Sequence, residues 1–188
     1  VRLFEGEAAI VVERYDRIRL DGAIRRLHQE DVCQALGFPP TKKYENEGGP
    51  GAKAIVELLR THSSRPADDV TTFIQALALN WIIGGTDAHA KNYSVLIGAG
   101  GSSRLAPLYD VASALPYDFD FKKLRLAMKI GGEYQLDIIS LRNWRKLASS
   151  VRLDEEQLRL TCLGLVEQMP DALHDVIGTA EANGLDKS

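Results

Sequence analysis

The segment Gly85-Thr86-Asp87-Ala88-His89-Ala90-Lys91-Asn92 is the most informative part of this 188-residue chain. It places an asparagine five positions after an aspartate, and the later segment Leu105-Ala106-Pro107-Leu108-Tyr109-Asp110 supplies a second aspartate. Phosphoryl transfer uses such a set, because one carboxylate orients or deprotonates the acceptor hydroxyl while an amide oxygen and a second carboxylate hold magnesium. The spacing therefore predicts a phosphoryl-transfer site.

The elements around this segment predict how its residues meet. Apolar residues recur at spacings of three and four from Val70 to Ile82, which predicts a helix that starts near Asp68 and ends at Gly84-Gly85. Residues 93–97 and 104–108 are typical of two short strands joined by a glycine-rich turn. This hairpin would bring Asp110 back towards Asn92.

The rest of the chain predicts a mainly α (α+β) fold, helical with a small β-hairpin carrying the catalytic and metal residues. A buried strand is expected over residues 8–13, and residues 120–131 indicate no firm structure. Helices are expected over residues 25–37, 52–60, 142–150, 154–169 and 171–183, with glycines 37 and 184 as stops for the first and the last.

Each residue of the candidate site also has an ordinary structural interpretation. An aspartate such as Asp87 often caps a turn, a lone histidine such as His89 is more often a hydrogen-bonded structural residue, and Lys91 would normally be solvated. Their order along the chain, between a predicted helix and a predicted hairpin, favours a phosphoryl-transfer site over these structural roles. Asp87 would contact the acceptor hydroxyl, Asn92 and Asp110 would bind Mg²⁺, and Lys91 could neutralise the transferred phosphoryl group.

Composition excludes some classes of protein. With 23 basic and 26 acidic residues, the formal net charge is −3, which argues against a strongly electrostatic nucleic-acid or membrane binder. The two cysteines, Cys33 and Cys162, lie far apart and suggest neither a disulfide framework nor a zinc site, so a reducing cytoplasmic location is expected. No apolar run approaches the roughly 18–20 residues that cross a bilayer.

Several blocks of the sequence resemble the C-terminal portion of the HipA family, the serine/threonine-kinase toxins of bacterial toxin–antitoxin systems. The resemblance covers roughly residues 10 to 133, and the helical tail matches more loosely. The blocks are VERYDR at 12–17, QEDVCQALG at 29–37, KYENEGGPG at 43–51, NWIIGGTDAHAKNYS at 80–94 and LAPLYDVASA at 105–114.

The resemblance implies the site residues of an ATP- and Mg²⁺-dependent protein kinase. Asp87 looks like the catalytic aspartate, and Asn92 and Asp110 look like the magnesium ligands. Residues implied to line the nucleotide or the acceptor path are His89, Ala90, Lys91, Asn92, Tyr109 and Asp110. A hinge between lobes, binding the adenine ring, is implied for Glu13, Arg14 and Tyr15.

The resemblance also implies partners and a division of the chain. Expected partners are a HipB-like helix-turn-helix antitoxin, DNA only through that antitoxin, and a protein substrate such as an aminoacyl-tRNA synthetase, with no membrane. Residues 1–17 would be the end of an N-lobe strand and the hinge, and residues 18–188 the helical C-lobe. The upstream N-lobe, with its phosphate loop and lysine, would be missing, so the fragment alone is expected to be inactive.

Two rival functions stay open at the level of sequence. A small-molecule phosphotransferase of the aminoglycoside-kinase type also carries D-x-x-x-x-N, although the blocks around Gln29 and Gly48 favour the HipA-like interpretation. A kinase-like lobe that only binds a partner is the other alternative, against which the intact Asp87, Asn92 and Asp110 argue.

Overall fold

The computed structural model describes residues 2–184, so the outermost bounds expected for the domain, residue 1 and residues 185–188, lie outside the described part. The helices are α1 (Val32–Ala35), α2 (Ala52–His62), α3 (Pro66–Ile82), α4 (Leu141–Ser150) and α5 (Glu155–Ala182). The strands are β1 (Arg2–Phe4), β2 (Glu7–Ala9), β3 (Arg17–Leu20), β4 (Ala23–Arg26), β5 (His28–Asp31), β6 (Ser94–Ile97), β7 (Ser103–Leu105), β8 (Arg125–Ile130) and β9 (Glu133–Gln135).

Helix α3 lies at the centre of the hydrophobic core. Its apolar face buries Phe73 and Leu77 almost completely, and the neighbouring α2 buries Ile55 and Leu59. The helix begins at Pro66, two residues before the expected start, because proline is well suited to the first turn. The predicted helix is thereby confirmed, and its far end delivers the chain to Gly84 and the candidate site.

A three-stranded antiparallel sheet, in the order β5-β6-β7, covers one side of this helix core. The predicted hairpin is confirmed as β6 and β7, in which Val95 faces Leu105, but the second strand ends at Leu105 and does not reach residue 108. The helix expected over residues 25–37 is wrong for most of its length. Residues His28 to Asp31 form strand β5 and pair with β6 instead. Only Val32–Ala35 are helical, with Asp31 as the capping residue.

More β-structure is present than the sequence predicts. Residues 18–31, expected in the helical part, form β3, β4 and β5. The expected buried strand at 8–13 is also wrong, since β2 ends at Ala9 and Ile10 and Val12 are 82% and 73% exposed. Because these side chains are exposed to water, the apolar run alone did not predict a buried strand correctly. The described part is therefore a mixed α+β fold.

Two expectations in the C-terminal half also change. Residues 120–131, for which no firm structure is expected, contain β8, which pairs with β9. The two helices expected on either side of Pro170 are one helix, α5, that continues through the proline. A proline removes one backbone donor, whereas the turns before and after it keep their own hydrogen bonds, so the helix need not end there. Gly184, at φ +84°, follows its last turn as predicted.

Within residues 2–184, no helix is both long enough and apolar enough to cross a membrane.

Candidate functional site

The candidate site begins where α3 ends. The Gly85 amide donates to the carbonyl of Asn80 at 2.6 Å, and Gly84 has φ +65°. A Cβ atom on Gly85 would lie 2.2 Å from Oδ1 of the buried Asn80, so a side chain does not fit at this position. The glycine pair lets the chain turn sharply off the helix and enter the Asp87 loop.

The loop from Asp87 to Asn92 is fixed by its own backbone. The His89 amide donates to the Asp87 carbonyl at 2.8 Å, and the Asn92 amide donates to the His89 carbonyl at 2.9 Å. The Ala90 amide donates to the carbonyl of Lys43 at 3.2 Å, so a segment far away in sequence holds the loop from outside. These bonds place the side chains of Asp87 and Asn92 relative to each other.

The Asn92 side chain joins the two aspartates of the predicted site. Its Nδ2 donates to the Asp87 carbonyl and to Oδ2 of Asp110, at 3.1 Å in each case. Asn92 is buried, whereas Asp87 and Asp110 are exposed. The structure therefore brings together the three residues that the sequence singled out: a buried amide is bonded to the backbone of Asp87 and to the carboxylate of Asp110.

Asp110 adopts an unusual backbone conformation. Its φ of +55° lies in the left-handed region, which costs a residue other than glycine roughly 1–3 kcal/mol. The following residues are tied to the end of α3: the Ala114 amide donates to the Gly84 carbonyl at 3.0 Å, and the Ser113 hydroxyl donates to the Ile83 carbonyl at 2.5 Å. These contacts hold Asp110 beside Asn92 despite its backbone strain.

The donor atoms of this cluster fit a hard divalent cation. Both hydrogens of the Asn92 amide are used by the two contacts above, so the amide oxygen is the atom of Asn92 that could bind a cation, together with the carboxylate of Asp110. Mg²⁺ binds carboxylate, amide and phosphate oxygens and keeps several non-protein ligands. Among residues 2–184, no group of three or more His, Cys, Asp or Glu side chains could hold a metal. Asn92 and Asp110 would therefore share the ion with phosphate or water oxygens.

Asp87 has a partner that the sequence analysis did not predict. The hydroxyl of Tyr44 donates to Oδ1 of Asp87 at 2.6 Å. This hydrogen bond to a carboxylate, followed by burial, raises the pKa of Tyr44 and keeps it a donor. Tyr44 is 43 residues away in sequence, so no local spacing could have revealed the contact.

His89 is a buried, neutral group next to Asp87. It is 6% exposed, and burial, followed by the nearby Lys43, lowers its pKa. Its ring meets the edge of Tyr44 with centroids 5.1 Å apart. In the described part of the chain its Nδ1 has no hydrogen-bond partner. An approach of His89 to the phosphates or the acceptor stays a prediction.

Lys91 and Tyr109 have a separate set of contacts. The Lys91 ammonium pairs with Oδ2 of Asp31 at 2.5 Å, and the Tyr109 hydroxyl donates to the Lys91 carbonyl at 2.6 Å. Ser94 Oγ lies 2.7 Å from the Tyr109 hydroxyl, and burial raises the pKa of Tyr109. Lys91 is thus joined to Asp31 of β5, a second residue that sequence spacing did not reveal.

The three residues of the expected hinge have different surroundings. The Tyr15 ring lies beside that of Tyr109, with centroids 6.4 Å apart, so it borders the site. Arg14 instead donates to both carboxylate oxygens of Asp16, at 2.8 and 2.7 Å. Glu13 is exposed. Of the three side chains, that of Tyr15 is the one in ring contact with a predicted site residue.

Comparison with known proteins gives a consistent result. A model of the HipA-like C-terminal domain matches residues 1–173. The candidate kinase Y4mE of Sinorhizobium fredii is 41% identical over 177 residues, which are 94% of this chain and 41% of that protein. The serine/threonine-protein kinase toxin HipA of Shewanella oneidensis is 32% identical over 181 residues, covering 90% of this chain and 41% of the toxin.

A solved structure extends the similarity to three dimensions. It is the complex of HipA, HipB and operator DNA from Shewanella oneidensis MR-1, with a TM-score of 0.83 at 27% identity over 93% of this chain and 43% of the solved one. The chain thus spans about two fifths of the length of the relatives it matches. By sequence and by fold, the chain belongs to the family of HipA-like C-terminal domains, which the HipA kinase toxin shares.

Proposed function

We propose that this chain is the C-terminal lobe of a HipA-like serine/threonine-protein kinase, which transfers the γ-phosphate of ATP to a hydroxyl of a protein with the help of Mg²⁺. One observation carries the proposal: the Asn92 amide bridges the backbone of Asp87 and the carboxylate of Asp110, at 3.1 Å on each side. This contact supports the proposal, because phosphoryl transfer needs such residues close together.

The residues of the cluster divide the work between them. Asp87 carries an exposed carboxylate in a loop that three backbone hydrogen bonds hold, so it can receive a hydrogen bond from an incoming hydroxyl with little movement. Asn92 and Asp110 offer the oxygens that would hold the cation. Bound Mg²⁺ would supply charge neutralisation at the phosphates.

The nucleotide would extend from this cluster towards Tyr109 and Tyr15. The rings of Tyr109 and Tyr15 lie 6.4 Å apart and would form an apolar border for it. We propose that Tyr15 flanks the adenine base, and that the backbone of residues 13–15 serves as the hinge. Lys91 would face the phosphates only by sharing its ammonium with Asp31, its partner in the structure.

Partners and setting follow from the relatives. The solved HipA is in complex with HipB and operator DNA. We propose that this chain likewise meets a HipB-like antitoxin, that DNA contact comes through that antitoxin, and that a cytoplasmic protein, with an aminoacyl-tRNA synthetase as the candidate, accepts the phosphate. We also propose that the 188 residues alone transfer phosphate poorly, because they span 41% of two kinase relatives and leave both site carboxylates exposed.

The test is a transfer assay on the complete gene product with γ-labelled ATP, Mg²⁺ and a protein acceptor. Asp87→Ala and Asp110→Ala are each expected to lower the rate of labelling by about 100-fold or more, because each removes a group whose loss costs several kcal/mol of barrier. Removing Mg²⁺ with a chelator should abolish labelling.

The matched control is Asp118→Ala, which removes an exposed carboxylate from the segment that follows Asp110. It should label as the unaltered protein does. Wild-type labelling by either site variant would refute the proposal, and label that appears on a small molecule instead of a protein would favour the aminoglycoside-kinase alternative.

A further inference from the structure

The segment from Lys42 to Gly51 touches the Asp87 loop at two points, although more than thirty residues separate them. The Lys43 carbonyl accepts from the Ala90 amide at 3.2 Å, and the Tyr44 hydroxyl donates to Asp87 Oδ1 at 2.6 Å. The first contact fixes the backbone of the loop. The second reaches the side chain that the proposed chemistry uses.

Tyr44 is held rigidly at its backbone. Its carbonyl accepts from the amides of Glu47 and Gly49, at 3.1 and 2.9 Å. A Cβ atom on Gly49 would lie 2.3 Å from the Lys42 carbonyl oxygen and 2.8 Å from that of Tyr44, so this turn closes only with glycine. Tyr44 therefore cannot shift without opening the turn.

The next residue anchors the turn to the rest of the fold. The Glu45 carboxylate accepts from the Lys129 amide at 2.8 Å and pairs with the Lys129 ammonium at 3.2 Å. A Cβ atom on Gly51 would lie 2.2 Å from the carboxyl carbon of Glu45, so the glycine makes room for it. Through Lys129, strand β8 supports the position of Tyr44.

The ring of Tyr44 is held as well. The Lys43 ammonium lies 4.9 Å from its centroid, and the His89 ring meets it edge-on at 5.1 Å and 77°. Backbone and ring together leave the hydroxyl one direction, towards Asp87. A hydroxyl fixed in this way occupies one carboxylate oxygen and leaves Oδ2 for an acceptor.

We propose that Tyr44 is the positioning residue of Asp87: its hydroxyl holds Oδ1 and so presents Oδ2 to the incoming protein hydroxyl. This inference rests on the proposed kinase function and adds a residue to it. Tyr44 acts through Asp87 and touches neither the nucleotide nor the cation. The block KYENEGGPG at 43–51 then supports the Asp87 loop, and its glycines allow the turn that carries Tyr44 to close.

The experiment is Tyr44→Phe in the complete gene product, which keeps the ring and removes one oxygen. We expect kcat to fall by about 10- to 100-fold, as for other groups that orient an active-site ligand, while KM for ATP changes by less than about twofold. Tyr117→Phe, which changes an exposed tyrosine whose ring lies beside that of Phe119, is the matched control and should leave kcat unchanged.

A double-mutant cycle separates positioning from a general structural role. In the Asp87→Ala background, Tyr44→Phe should lower the residual rate no further, because its only route of action is gone. Gly49→Ala gives a second test that leaves the side chains of Tyr44 and Asp87 intact. Alone, it should lower kcat by displacing the Tyr44 backbone. Combined with Tyr44→Phe, it should lower kcat no further than Tyr44→Phe does.

The outcomes are distinct. An unchanged kcat in Tyr44→Phe, or an equal further loss in the Asp87→Ala background, would overturn the inference. A higher kcat would overturn it too, since Tyr44 would then compete with the acceptor, and so would phosphate found on Tyr44 itself. If Asp87→Ala labels normally, the proposed kinase function fails, whereas an inactive Asp87→Ala beside an unaffected Tyr44→Phe removes only the role of Tyr44.

Discussion

Asp69 shows how much a single buried carboxylate can organise. It lies in the first turn of α3 and is 2% exposed. Arg104 donates to it from Nη2 at 2.9 Å, the Leu105 amide at 2.8 Å and the Ser63 hydroxyl at 2.6 Å. Burial acts to raise its pKa, but these hydrogen bonds outweigh burial and lower it. The residue therefore ties α3 to β7, the second strand of the hairpin between Asn92 and Asp110.

Asp69→Asn should destabilise the protein by about 2–3 kcal/mol at neutral pH, because it removes the charge that Arg104 and two other donors face. The measurement is urea unfolding followed by circular dichroism. Its neighbour provides the control: Asp68 is half exposed and pairs with Arg65, so Asp68→Asn should cost no more than about 1 kcal/mol. Equal losses in the two variants would contradict the role assigned to Asp69.

The residues of the site differ in how far the sequence could predict them. The spacing in the sequence predicted three of them, Asp87, Asn92 and Asp110, because a loop and a short hairpin are enough to bring these residues together. Tyr44 and Asp31 reach the same loop from 43 and 60 residues away. Such contacts depend on how separate elements pack, and no pattern of a few residues carries that information.

At the scale of elements, the turn between β8 and β9 controls how this hairpin meets α4. Gly131 has φ +55°, and a Cβ atom there would lie 1.9 Å from the backbone oxygen of Asn143 in α4. Gly131→Ala should destabilise the protein by at least about 3 kcal/mol, because backbone strain adds to an overlap that only a shift of α4 could relieve. Urea unfolding measures the loss.

The neighbouring glycine separates strain from overlap. Gly132 has φ +96°, but a Cβ atom there would meet nothing within 4 Å. Gly132→Ala should therefore lower the free energy of unfolding only by the cost of its strained backbone conformation, about 1–2 kcal/mol. A loss as large as that of Gly131→Ala would show that the contact with Asn143 contributes little.

The sequence predicts a helix or strand correctly where the residues of that segment alone determine its conformation. Helix α3 has a buried stripe at spacings of three and four and a proline in its first turn, so its position follows from the residues it contains. Strand β5 has neither property. Its four residues, HQED, include no β-branched side chain, and they are extended because β6 lies alongside and because Asp31 must cap α1. Pairing with a strand more than sixty residues away decides such a segment.

At the scale of the whole molecule, the site lies where three parts of the fold meet. The end of α3 supplies the sharp exit at Gly84, the sheet β5-β6-β7 supplies Asp31 and the flanks of the hairpin, and residues 42–51 supply Tyr44. These parts are also bonded to other elements, α3 to β7 through Asp69 and residues 42–51 to β8 through Glu45, so the position of the Asp87 loop depends on the whole fold. This is the arrangement that catalysis by positioning requires.

Two aspartates in different regions are expected to contribute to the stability of the molecule in acid. Asp16 beside β3 receives two hydrogen bonds from Arg14, which, despite burial, lower its pKa to about 2, and the pKa of Asp69 in α3 is also lowered. A carboxylate whose folded pKa is depressed stabilises fully above its unfolded value, near 3.9, and loses that contribution as pH falls through the folded value. The free energy of unfolding should therefore drop between about pH 4 and pH 2.

Urea unfolding at a series of pH values measures this drop. The Asp16→Asn and Asp69→Asn variants should each show a shallower decline over that range, because each has one carboxylate fewer to protonate, and the double variant should be shallower still. Asp68→Asn should keep the slope of the unaltered protein. A steep decline that survives in the double variant would mean that other carboxylates, and not these two, hold the fold together in acid.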